Sequence, residues 1–222
     1  MSRYRNTLAV ALITTAGCGE GVGTAPTDLP LAFYGACGRQ PNYAASVQFN
    51  GRFREFPVSV FIDLGRAAPD LQGMYLTAIQ DGFQRWGLFE PEDFTAVEFV
   101  ASPEDANITT VFVTQIPGAP LALAASRPIE FEREGVVAKT TIEFSNLVLA
   151  EKFEERFRAG LLSPSQFVRQ VAALTAHEYG HSLGIQTHPT QNADFLMSAI
   201  GFELHTDPTE ADRNTIRENY CQ

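Results

Sequence analysis

The chain is poor in basic residues: 16 lysines and arginines stand against 26 aspartates and glutamates, a formal net charge of −10 and a pI near 4.8. Such a balance excludes nucleic acid and an anionic membrane surface as partners. Long apolar runs are missing too. The stretch Leu8 to Thr15 falls well short of the roughly 20 residues that a mature bilayer-spanning helix needs. Histidine and cysteine are scarce, with 4 and 3 copies in 222 residues. Few side chains can therefore carry soft-ligand or thiol chemistry, and where they fall is informative.

Three of the four histidines fall in one stretch, His177-Glu178-Tyr179-Gly180-His181-Ser182-Leu183-Gly184-Ile185-Gln186-Thr187-His188. Residues four apart share a helix face, so His177 and His181 can converge on one ion. Glu178 lies beside that ion without being needed as a ligand, where a general base takes a proton from a metal-held water. Gly184 breaks the helix, His188 follows the break, and Met197 comes downstream in Phe195-Leu196-Met197-Ser198-Ala199. Together these residues resemble the metzincin clan of zinc endopeptidases, whose pattern is H-E-x-x-H-x-x-G-x-x-H with a methionine-containing turn under the metal. The resemblance implies Zn²⁺ on His177, His181 and a third ligand, Glu178 as catalytic base, Met197 in the turn, and a polypeptide substrate. Ala199 stands where astacins carry a tyrosine ligand, so the matrixin branch is nearer. One departure concerns the third ligand: Ile185, Gln186 and Thr187 separate Gly184 from His188 where the clan has two residues, which puts Thr187 at the nominal position. Zinc prefers imidazole, so His188 is expected through a one-residue bulge, with Asp194 and His205 as alternatives.

Met1 to Asn6 carries Arg3 and Arg5 ahead of the short apolar run, the form of an export signal over residues 1–17. Thr15-Ala16-Gly17-Cys18 resembles the lipobox of bacterial lipoproteins, which implies cleavage before Cys18 and its lipidation. An ordinary signal peptide cut near Ala16 is the alternative. Residues 18–45 then read as a lipid-anchored tether and N-terminal extension, because Gly19 to Pro30 has almost no large apolar side chain to bury. Residues 46–222 read as one peptidase domain. The expected location is the bacterial cell envelope or outside it, with membrane contact only through the anchor and the folded part a monomer. Cys37 and Cys221 remain as an even pair that would join the two ends of the domain by a disulfide. Alternatively, Cys37-Gly38-Arg39-Gln40-Pro41-Asn42 resembles the cysteine-switch segment of matrix metalloproteinase propeptides, which implies a thiolate capping the zinc. That family's segment lacks the extra residue before proline and ends in aspartate.

Periodicity fills in the domain. Phe53 to Asp63, Thr95 to Ala101, Ile108 to Val113 and Val136 to Phe144 read as strands. Pro69 opens a helix whose apolar stripe runs from Leu71 to Trp86, and Leu147 to Ala159 reads as a helix or helical loop. Ser163-Pro164-Ser165-Gln166 is a capping box that launches the long helix into His177 and His181, and Asp207-Pro208 with Glu210 suggests a second one. The fold class is α+β, a twisted mixed sheet on two long helices with an active-site helix and a C-terminal helix. Leu121-Ala122-Leu123-Ala124 resembles the edge strand on which metzincins hold an extended peptide. No second, structural zinc can be assembled from the remaining histidines, and Glu130, Glu132 and Glu134 leave calcium open. Two other readings stand beside the peptidase. A gluzincin-type enzyme would use Glu203 in Glu203-Leu204-His205-Thr206-Asp207 as third ligand, although Pro208 puts that stretch in a loop. A non-catalytic zinc-binding surface lipoprotein would keep the fold but has no use for Glu178.

Overall fold

The computed structural model describes residues 38–87, 96–189, 194–199 and 205–220. Cys18, Cys37, Cys221 and Glu203 lie outside the described residues, as do the signal and residues 18–37 of the tether and extension. Five strands form one sheet in the order β2-β1-β3-β5-β4. These are β1 (Val58–Ile62), β2 (Val97–Phe99), β3 (Ile108–Val113), β4 (Ala124–Arg133) and β5 (Val136–Ser145). All neighbours run parallel except β4, which pairs antiparallel with β5 at the edge of the sheet. Strand β3 shows why the sequence pattern works: Ile108, Thr110 and Phe112 are buried while the residues between them are half-exposed, the period-two alternation of a β-branched run.

Helix α1 (Gln72–Gln84) and helix α4 (Pro164–Ser182) cover the sheet. They meet closely at Gly82, where a methyl group would stand 2.5 Å from the Ala172 carbonyl oxygen and from Thr175 Cβ. Trp86, buried just past α1, donates its indole N–H to the Ala176 carbonyl at 2.7 Å and locks the two helices in register. Between sheet and helices, Tyr75 packs edge-on against Phe112 and Phe167 at ring distances of 4.9 and 5.3 Å. Short helices α2 (Asn146–Leu149) and α3 (Glu155–Arg158), joined by a π-helical turn, carry the chain from β5 toward α4. Glu154 in that turn is buried yet satisfied, accepting from the Tyr75 hydroxyl at 2.7 Å and from Arg158 at 3.2 Å. The last helix, α5, spans Glu210–Tyr220.

The class is therefore α+β, with several boundaries moved. The first strand starts at Val58 rather than Phe53, because Pro57 interrupts the ladder. Helix α1 starts at Gln72, after a turn closed by Leu71 N–H on the Ala68 carbonyl at 2.9 Å. The edge strand begins at Ala124, the last residue of the expected Leu121–Ala124 segment, and Leu121 itself is 76% exposed. Ser163 caps α4 as expected, with both arms of the box formed: Gln166 N–H to Ser163 Oγ at 3.2 Å and Ser163 N–H to Gln166 Oε1 at 2.8 Å. Helix α5 is capped differently. Thr209, not Asp207, is its cap, and Asp212, not Glu210, closes the box, with Asp212 N–H donated to Thr209 Oγ1 at 3.2 Å and Thr209 N–H to Asp212 Oδ2 at 2.8 Å. Residues 38–45, assigned above to the extension, pack on α5: Tyr43 is buried, and Asn214 donates to the Pro41 carbonyl at 2.9 Å.

Candidate metal centre

Helix α4 places His177 and His181 one turn apart, and Gly184 then turns the chain so that His188 folds back onto them. Gly184 has φ +115°, and any side chain there would overlap the Gly51 carbonyl and the Asn219 amide. Both the conformation and the lack of space require glycine. The Nε2 atoms of the three imidazoles converge, His177 to His181 at 3.1 Å and His177 to His188 at 3.2 Å. Among the described residues this is the one group of three potential ligand side chains close enough to share an ion. Neither Asp194 nor His205 belongs to it.

The far side of each helical imidazole is tied off. His177 Nδ1 faces the Leu196 carbonyl at 2.7 Å and His181 Nδ1 faces the Ile185 carbonyl at 2.5 Å. A carbonyl only accepts, so each Nδ1 carries the proton and each Nε2 turns a lone pair toward the other. Two lone pairs 3.1 Å apart repel, and a cation between them would relieve that repulsion. Two nitrogens on one tetrahedral zinc, each about 2.0–2.1 Å from it, stand about 3.3 Å apart, so the spacing fits a zinc ion. Protonation of the imidazoles is opposed. Burial, then the charges of His181 and His188, hold His177 well below its ordinary value; burial, then His188, bring His181 to about 4; burial lowers His188. Neutral imidazoles are the ligating form.

Thr187, at the nominal third-ligand position, is engaged elsewhere: its hydroxyl accepts the Gln48 N–H at 2.9 Å. It is the His188 imidazole, not the Thr187 hydroxyl, that reaches the other two histidines.

Glu178 is buried beside the cluster. Burial pushes its carboxyl up to about 8, opposed by a hydrogen bond from the Ser126 backbone amide on β4. A cation at the neighbouring imidazoles would favour the carboxylate. Ser126 is fixed in turn by its hydroxyl, 2.8 Å from that of Ser182 on α4. The edge strand and the helix are therefore joined at Glu178. Glu130 and Glu132 lie farther along β4, exposed, with Glu132 4.0 Å from Arg54.

Met197 is buried beneath the site, against Gly180, where any side chain would overlap its sulfur and the Trp86 ring. The turn that carries Met197 is held from α5. Asp212, fully buried on α5, accepts the Leu196 and Met197 amides at 3.0 and 3.2 Å, the Thr209 amide and hydroxyl at 2.8 Å each, and the Tyr43 hydroxyl at 2.5 Å. Burial, then the Asp212 charge, hold the Tyr43 phenol far up, so it stays a donor. The Thr209-x-x-Asp212 spacing was the available signal. No protein-family model and no curated protein matches the chain.

Proposed function

We propose that the protein is a zinc-dependent endopeptidase of metzincin type, matrixin-like, exported and anchored through Cys18, and that it cuts envelope or secreted polypeptides as a monomer. The observation that carries this reading is the three-imidazole cluster with its lone pairs turned inward and a buried carboxylate beside it. His177, His181 and His188 would hold the ion, leaving a fourth position open. A bound zinc would supply Lewis acidity and lower the pKa of a water to about 7. Glu178 takes the proton of the attacking water and later gives it to the leaving amine. An extended peptide finds hydrogen-bonding groups along the outer edge of β4, which Ser126 ties directly to Glu178. That link between binding edge and base supports peptide cleavage over simple metal storage.

The test is Glu178→Gln. The variant is expected to keep stoichiometric zinc and to lose about a hundredfold to ten-thousandfold in cleavage of a denatured protein, the usual worth of a general base. Undiminished cleavage would remove Glu178 from the mechanism.

A further inference from the structure

We propose that residues 43–50 form a strap that sets the geometry of the metal centre, with Thr187 as the positioning residue that delivers His188. The inference rests on the metal-binding part of the reading above, not on peptide cleavage.

Each of the three imidazoles has its support gripped by this one segment. For His188, the Gln48 N–H is donated to Thr187 Oγ1 at 2.9 Å and the Gln186 N–H to the Gln48 carbonyl at 2.7 Å. For His181, the carbonyl that receives Nδ1 belongs to Ile185, which forms an antiparallel bridge with Phe49, and the Asn50 N–H reaches the Gly184 carbonyl at 3.0 Å. For His177, the supporting carbonyl belongs to Leu196, whose amide is held by Asp212, and Asp212 accepts the Tyr43 hydroxyl. The Tyr43 ring also packs on Phe195 at 4.8 Å.

The strap matters because the segment from Gly184 to His188 has two candidate registers. A slip of one residue would present the Thr187 hydroxyl to the site and carry the His188 imidazole past it. Pairing with Gln48 at both its amide and its carbonyl fixes one register, and the Thr187 hydroxyl is spent in doing so. A poor zinc ligand thus becomes the group that seats the good one.

The test measures zinc affinity of the full chain by competition with a chromogenic chelator, and the visible absorption of its Co²⁺ form. Zinc-free wild type under saturating zinc would remove the metal reading itself. With wild type binding zinc, Thr187→Val, which keeps the shape but loses the acceptor, is expected to weaken affinity about tenfold and to alter the cobalt bands. Thr187→Ser should restore both. Tyr43→Phe should weaken affinity several-fold through the Asp212 arm. Unfolding of the metal-free chain is followed in parallel. A lowered midpoint with wild-type zinc affinity and cobalt spectrum in Thr187→Val would mean a purely structural role and would overturn the proposal.

Discussion

At the metal centre, side chains divide into those that face the shared point and those that hold them there. His188 belongs to the first group. His188→Ala is expected to lose zinc by at least the about 10–100-fold that outer partners of a ligand are worth, whereas Asp194→Ala and His205→Ala should keep one zinc per chain by elemental analysis. Gly184 belongs to the second group, and Gly184→Ala forces a side chain into left-handed backbone and into the Gly51 carbonyl. It should cost about 1–3 kcal/mol or more in a urea titration. The imidazoles also predict a pH dependence for the metal-free protein. Their folded pKa values are lowered, to about 4 for His181, so the unfolded chain takes up protons first. The histidine contribution should be fully present above about pH 6.5 and drain away as pH falls toward 4, while the Glu178 carboxyl, raised to about 8, works the other way and favours the folded chain as pH falls below 8. A flat midpoint between about pH 6.5 and 4 in Glu178→Gln, which removes the opposing carboxyl, would contradict the burial of the imidazoles.

Among the elements, α5 does more than close the domain. Through Asp212 it holds the turn that carries Met197, and five donors converge on one buried carboxylate. Asp212→Asn must leave at least one of those donors unmatched. The expected loss is about 1–3 kcal/mol in chemical unfolding, with a weaker hold on zinc in the same variant. This element was only half legible in sequence. Asp207-Pro208 and Thr209-x-x-Asp212 both satisfy the rules for a helix start, and the choice between them is made by tertiary donors that no local rule contains. Helix α4 was legible because its cap, its apolar stripe and its two histidines agree. Strand β4 was not: its residues Arg127 to Arg133 mix charge, proline and exposed apolar side chains, while Leu121 to Leu123 ahead of it look more strand-like. At an edge, main-chain pairing with β5 decides, and burial leaves little pattern to read. The histidine triad was visible in the spacing; Tyr43, Gln48 and Thr187 were not, because their roles depend on a segment more than 130 positions away from the loop it grips.

For the molecule as a whole, metal and fold should be coupled, since the ligands come from α4 and from the loop beyond it. Zinc at a thousandfold excess over its dissociation constant would add about 4 kcal/mol to stability. Chelation should therefore lower the thermal midpoint by several degrees, and no shift would mean that no ion is bound. The two ends of the described part of the chain meet as well. The Gly38 N–H is donated to Glu218 at 2.8 Å, so the residue after Cys37 in sequence lies along α5, whose last residue, Tyr220, precedes Cys221 in sequence. Peptide mapping without reductant should find Cys37 joined to Cys221, and a free Cys37 thiol would revive the alternative that it caps the metal. Among the described residues no helix is long and apolar enough to cross a membrane, and membrane attachment through Cys18 is expected to appear as a lipid mass on the N-terminal peptide. The most direct measurement is elemental analysis of the chain purified without chelator, paired with cleavage of a denatured protein with and without o-phenanthroline. One zinc per chain with chelator-sensitive cleavage is the predicted result; zinc without cleavage, or no zinc at all, would contradict the endopeptidase.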